Sequence, residues 1–497
     1  MSERTPAGAE ASRDAPGVQA LGARRHLSLV RLASWNIIDQ VLSAMTNAVL
    51  SIVVARTVGA AQFGAFAACF LVFSVFIGIE RALVGQPMGI RYSGQTGPRL
   101  ASGVSRALGT ALSVALAGAL GCIVAGLLLG GNVGPTLVAT GTVLPALLLQ
   151  DACRLVFFAR SKANLAAAND ALWAVVQFSM IGLLAGLGWV TTPRLVLTWG
   201  GAAAVCVVVA LVQLRSVPRP LGTRSWMAEH KDLSGYLLAE YLLGAGAFQG
   251  GILIVGALVG GNPGLAIIGA FRAAQVVLGP LGILGTALQT FSLPELSKRT
   301  WMLAAARWKV ALAIGGIMTG TSLAYTAVLM MLPLGAGEFL FHDSWLGARG
   351  VLLPLALGSA AGGLCLGSAI VISSLGLARR TFRIMTVEAP LVFTLMIVGS
   401  RLGGAQGAAW GLCIDQTLLI PLWFWTLREI LHDSRAQDRA AHQGGGTLRR
   451  DEQPEPAPIR RPVVEPPAQQ HRTISLETSG SAAEAARLDR YGDGGRS

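Results

Sequence analysis

Several charged residues of this 497-residue chain fall inside stretches that are otherwise apolar, and they are the side chains placed to do chemistry. Arg272 lies about two turns inside an apolar run, where a charged side chain costs about 2.5–3.5 kcal/mol on insertion scales. Its guanidinium is a bidentate fork that suits phosphate. An acid on a neighbouring helix could meet the same cost, and Glu240 is the candidate for such a structural bridge. Asp39 stands about six residues into the first apolar run, and Glu240 holds the matching place in the seventh. Paired acids of this kind can bind a coupling proton or cation, or accept hydrogen bonds from hydroxyl groups. Six helical residues rise only about 9 Å, which equally fits the headgroup zone. Asp415, followed by Gln416, is the most deeply placed acid, and its depth points to a cavity. Glu80 and Arg81 are adjacent and cannot share a helix face, so one faces a cavity and the other a neighbouring helix. Asp151 and Arg154, three apart, have the spacing of an intrahelical structural pair. The residues nominated to line a cavity are therefore Arg272, Asp39, Glu240, Asp415 and Arg81, with no catalytic, cofactor or metal-ligating set.

The elements holding these residues must suit lipid. Hydrophobic residues make up 53% of the chain and charged residues 13%, a balance that a water-soluble surface could not tolerate. A crossing helix needs about 20 mostly apolar residues. On that rule the chain has six spans in a first lobe, 33–55, 64–87, 106–130, 135–158, 166–190 and 195–215. Six more follow in a second lobe, 235–259, 264–292, 308–333, 350–376, 383–400 and 405–427. The fold class expected is an all-α polytopic membrane protein, with about twelve transmembrane helices in two related six-helix bundles around a central cavity. A duplication supports the two lobes: Asp39 to Glu240 and Val58 to Val259 are both shifts of 201, and Gly64 to Gly269 is 205. Residues 1–32 read as a disordered cytoplasmic arm, 217–234 as a polar linker between the lobes, and 428–497, rich in proline and charge, as a disordered tail. Basic residues such as Arg91, Arg160, Lys162, Arg219, Lys298 and Arg380 gather in the loops after even-numbered spans, which places both termini in the cytoplasm. Trp189, Trp199, Trp345 and Trp423 fall near span ends, as interfacial indoles would.

Several classes are disfavoured. The net charge of +13 is distributed between apolar spans, where topology explains it better than nucleic acid does. The six cysteines have no metal spacing and read as packing thiols, and the six histidines form no cluster. The chain carries no Gly-x-x-x-x-Gly-Lys-Ser/Thr loop, no His-Glu-x-x-His pair and no Gly-x-Ser-x-Gly elbow. No enzymatic chemistry is indicated, and energy for any directed movement must come from a gradient, the membrane potential or product consumption.

Three stretches together resemble a known pattern: Asp39-Gln40, then Ala55-Arg56 with Gly59 and Phe63-Gly64, and Leu293-Pro294-Glu295-Leu296-Ser297. With Leu144-Pro145, Asp151, Arg154, Arg160, Lys162, Asp170 and Trp173 around a basic turn, they resemble the multidrug/oligosaccharidyl-lipid/polysaccharide (MOP) exporter superfamily over about residues 30 to 430. The polysaccharide-biosynthesis flippases of O-antigen type fit best. The resemblance implies alternating access across the cytoplasmic membrane and a lipid-linked, polyprenyl-diphosphate oligosaccharide as cargo. It also implies a coupling ion, proton or sodium, and polysaccharide-assembly proteins as partners, with no cofactor. Phe271 to Gly282 also resembles the peptidoglycan-precursor branch, in which a cation here would face the diphosphate. That branch's extra pair of helices is missing, which argues against that cargo. The rival readings are an ion-coupled multidrug or metabolite antiporter of the same superfamily, and a membrane-embedded polymerase or ligase. The latter calls for a large extracytoplasmic loop, and the longest one here, about Leu334 to Arg349, is short.

Overall fold

A computed structural model describes residues 40–93, 95–299, 302–331 and 334–444, and all described secondary structure is helical. The first lobe comprises α1 (Gln40–Thr57), α2 (Ala60–Tyr92), α3 (Gly97–Leu129), α4 (Val133–Ala159), α5 (Ala163–Gly186) and α6 (Thr192–Leu214). The second lobe opens with α7 (Pro220–Val259), then α8 (Gly261–Val277) and α9 (Gly279–Lys298), the halves of one span bent by 58°. It continues through α10 (Ala304–Met331), the short α11 (Leu334–Phe341), α12 (Trp345–Ser374) and α13 (Ala378–Gly444). Ten of these helices are long and apolar enough to cross a membrane, and the bent pair makes an eleventh. α13 supplies the twelfth pass, because it is two helices joined where Gly403 and Gly404 leave helical geometry.

The tight reversals show why glycine is spent where it is. In the α3–α4, α7–α8 and α13 hairpins, glycines eight residues apart face each other: Gly126 and Gly134, Gly256 and Gly264, Gly399 and Gly407. A Cβ on either member would crowd the other's carbonyl, so the arms touch main chain to main chain. The turns between them need left-handed residues, met by Gly130 (φ 59°), Gly260 (φ 71°) and Gly404 (φ 57°). All three hairpins lie at one end of the bundle, and the basic loops lie at the other.

Within the first lobe, Phe63, Phe66, Phe70 and Phe73 recur at helical spacing on α2 as a run of ring contacts, and the last two meet Trp199 of α6, whose ring lies 4.7 Å from that of Phe73. Trp199 is therefore not interfacial: it is 1% exposed and forms the centre of this core, and Trp423 is buried likewise, whereas Trp189 is exposed. The period of the apolar residues is the same for both roles, and only packing separates them. The lobes meet along α2 and α8, where Gly64 takes the Leu265 carbonyl at a distance no side chain would permit and the Phe63 ring approaches Gly269. Asn132 and Asn262 bridge the two hairpins at the rim (3.5 Å).

The linker between the lobes is helical from Pro220 and runs without interruption into α7. It is anchored on the first lobe at the basic end. Trp226, fully buried, donates its indole N–H to the Leu83 carbonyl at 3.0 Å, and Ser234 donates to the same oxygen. Leu83 belongs to a π-helical turn of α2, Arg81–Gly85, whose widened hydrogen-bond pattern leaves carbonyls for such partners. Arg106–Glu229 and Arg91–Asp232 ion pairs (2.6 Å each) flank the contact. At the other end of the chain, α13 continues helically to Gly444, past residue 428 where the disordered tail was expected. Leu427, Ile430 and Leu431 are buried, which is why the helix carries on. The arm of residues 1–32 and the remainder of the tail lie outside the described residues.

Candidate functional site

Among the described residues, charged and amide side chains within the apolar spans converge in three places. At the lobe interface, Arg272 projects from α8 into the first lobe and is 9% exposed. Its Nε and Nη2 donate to Ser51 Oγ of α1 at 3.2 and 2.9 Å, and its guanidinium carbon lies 3.5 Å from the centre of the Phe70 ring of α2. Ser51 donates its own proton to the Asn47 carbonyl at 2.9 Å, which leaves its lone pairs for Arg272. Among the described residues Arg272 has no carboxylate partner. The Glu240 bridge anticipated from sequence is not formed: Glu240 is partly exposed on α7 and makes no ion pair among the described residues. Asp39 lies outside the described residues.

The second place is inside the first lobe. Arg81 grips Asp151 of α4 with two hydrogen bonds of 2.7 and 2.8 Å, and Arg154 donates to the same carboxylate at 2.8 Å. Arg154 also approaches Asp170 of α5 at 3.6 Å, and Gln150 donates to Asp170 at 2.8 Å. The intrahelical Asp151–Arg154 pair expected from spacing is thus one link of a buried chain across α2, α4 and α5. Glu80, beside Arg81 in the chain, borders the same cluster. Glu80 is fully buried, with neither oxygen hydrogen-bonded among the described residues, whereas the Arg81 side chain is 40% exposed and keeps Nη1 free of Asp151.

The third place is a cavity of about 600 Å³ within the second lobe. It lies beside the α8–α9 break, where Leu278, Gly279 and Pro280 interrupt the helix. The carbonyl of Val277 at this break accepts a hydrogen bond from the Tyr325 hydroxyl of α10 at 2.9 Å. Gln275, Ser359, Glu388 and Gln416 supply the polar part of the lining. The Gln416 amide bridges two acids, donating to Asp415 at 3.0 Å and to Glu388 at 3.3 Å. Asp415 itself is fully buried behind this wall, with Oδ1 unpartnered among the described residues. Glu388 is the residue that sequence reasoning passed over. It sits five residues inside the 383–400 span, and that intramembrane acid was the available signal. Among the described residues no three His, Cys, Asp or Glu side chains group as a metal site.

The helical bundle thus sets a bent helix pair beside a mainly apolar cavity that carries a few strongly polar side chains. Solved structures share this fold. One that this chain resembles is the inward-facing conformation of a multidrug resistance MATE family transporter of the MOP superfamily, with TM-score 0.62, 13% identity, and coverage of 79% of this chain and 96% of that one. Another is the lipid II flippase MurJ in its inward closed conformation, with TM-score 0.57, 11% identity, and coverage of 84% and 94%. An outward-facing conformation of a MATE family transporter of the MOP superfamily matches at TM-score 0.54, 13% identity, and coverage of 82% and 96%. At such identities the likeness is one of fold, and the fold is that of the MOP transporters. No protein-family model and no curated protein sequence matches the chain.

Proposed function

We propose that this protein is a flippase that carries a polyprenyl-diphosphate-linked oligosaccharide across the cell membrane by alternating access, for cell-surface polysaccharide assembly. The basic end of the bundle would face the cytoplasm, together with both termini. The observation that carries the reading is Arg272. Among the described residues this guanidinium, buried at the lobe interface, has a hydroxyl and a ring face for company and no anion to balance it. When α2 and α8 part, that charge is uncovered where a diphosphate could complete it, and the headgroup needs such help to cross about 30 Å of hydrocarbon. Arg81, 40% exposed and with no hydrogen bond to Nη1 among the described residues, is a second cation for the same headgroup. Asp415, with Gln416 in front of it, is the proposed seat of a coupling proton or sodium ion. Asp39 and Glu240 remain candidates on sequence grounds.

The test is headgroup accessibility of a labelled polyprenyl-diphosphate saccharide in proteoliposomes. Wild-type protein should speed transbilayer movement and Arg272→Ala should abolish most of it. Equal movement with and without wild-type protein would reject the flippase, and full activity of the variant would reject only the role of Arg272. A second reading, an ion-coupled multidrug antiporter, is favoured by the second-lobe cavity, which presents Glu388 and no basic side chain. The resemblance to MATE transporters supports it equally in fold. Uptake of a lipophilic cation against a proton or sodium gradient, with no lipid movement, would establish it instead. A polymerase or ligase has no such support among the structural neighbours, which are transporters.

A further inference from the structure

Resting on the flippase reading, we infer that the second-lobe cavity seats the saccharide end of the cargo and selects it by charge. Sugars bearing only hydroxyl, acetamido or amino groups are admitted and those bearing a carboxylate are rejected, with Glu388 as the selecting residue.

The chemistry of the lining carries this. Glu388, Gln275, Gln416 and Ser359 are its strongly polar side chains, and it contains no Lys, Arg or His. Ser359 Oγ donates to the Leu355 carbonyl and so turns its lone pairs outward as an acceptor. Gln275 makes no hydrogen bond among the described residues and offers both a donor and an acceptor. Glu388 is committed through one oxygen to Gln416 and keeps the other. A mixture of this sort pairs with hydroxyl and amide groups, which both give and accept. Gly279 and Gly282, where a Cβ would meet nothing within 4 Å, add open backbone against which a ring can lie. The volume, about 600 Å³, falls in the usual range for a small-molecule site.

Rejection follows from the same set. A carboxylate on the ligand would face Glu388, and no basic group in the lining would compensate it. Like charges brought together in a site of low dielectric repel strongly. The diphosphate is excluded from the cavity for the same reason and is left to Arg272. Arg272 and Gln275 are three residues apart on α8, so their side chains are neighbours on the helix surface although one meets the first lobe and the other lines the cavity. A diphosphate at Arg272 therefore delivers its first sugar to Gln275.

The experiment uses the full chain in proteoliposomes with two synthetic polyprenyl-diphosphate disaccharides, identical except that the outer sugar is a neutral hexose in one and a hexuronate in the other. Wild-type protein should move the neutral lipid at least about tenfold faster. Glu388→Gln should bring the two rates together by raising the hexuronate rate, and Glu388→Asp should preserve the ratio. Gly282→Phe should slow the neutral lipid while thermal stability stays at the wild-type level, since a Cβ at Gly282 meets nothing within 4 Å. Equal rates for both lipids with wild-type protein, an unchanged ratio in Glu388→Gln, or wild-type movement by Gly282→Phe would each overturn the inference and leave the flippase standing. Movement of neither lipid by wild-type protein would remove the flippase reading itself.

Discussion

Asp151→Asn offers the sharpest test of how the first lobe is held. Asp151 receives three charge-assisted hydrogen bonds, two from Arg81 and one from Arg154, and its side chain is 4% exposed. Arg154 is equally buried, so removing the carboxylate charge takes from its guanidinium the acid that it holds at 2.8 Å, while Asp170 lies at 3.6 Å. Breaking one partner of a buried pair costs about 3–5 kcal/mol, because an uncompensated charge stays behind. Arg81→Ala should cost much less, about 1 kcal/mol. The Arg81 side chain is 40% exposed and its pairing is screened, and Asp151 keeps Arg154 as a partner. Denaturant titration of the purified protein in mixed micelles, followed by tryptophan fluorescence, gives both differences on one scale. An Asp151→Asn protein within about 1 kcal/mol of wild type, or an Arg81→Ala protein less stable than it, would refute the view that burial of the Asp151–Arg154 link sets the energetics.

Three further outcomes are expected. Gly64→Val should force α2 away from the Leu265 carbonyl of α8 and open the hairpin end of the lobe interface; overpacking of this kind costs about 1–3 kcal/mol, and maleimide labelling of an Asn262→Cys reporter should rise severalfold over the Gly64 parent. The six native cysteines are buried and should contribute little background. Trp226→Ala should cost about 3–5 kcal/mol and expose the linker to limited proteolysis near Arg224, because a fully buried indole and its bond to Leu83 are lost together; unchanged digestion would show that the flanking ion pairs suffice. Glu80→Gln, nearly equal in volume, should match or exceed wild-type thermal stability, since the carboxylate it replaces is buried with no hydrogen-bond donor among the described residues; a marked loss would show that its attraction to Arg81 and Arg154 outweighs the cost of burying it.

Much of this architecture is written in local composition. Twelve apolar runs, the reversals near Gly130, Gly260 and Gly403 and the concentration of basic residues at one end are all visible in order along the chain, whereas the break at Gly279-Pro280 lies inside the run 264–292 and came only with the structure. A helix in lipid must satisfy its backbone within itself, so length and hydropathy are enough to declare it. The charged residues were also conspicuous, because charge inside an apolar run is rare whatever its purpose. Their partners were not. Arg272 meets Ser51, 221 positions away, and Arg81 meets Asp151, 70 away, and neither separation is encoded in spacing on one helix. Trp199 read as interfacial and is core, Glu388 was passed over and lines the cavity, and the linker became the first turns of α7. In each case the face that a residue presents depends on which other helix lies against it. Hydrophobicity places a helix in the membrane but is nearly indifferent to rotation about its axis. That rotation was left to the fit of glycine against backbone, ring against ring and charge against charge between helices distant in the chain.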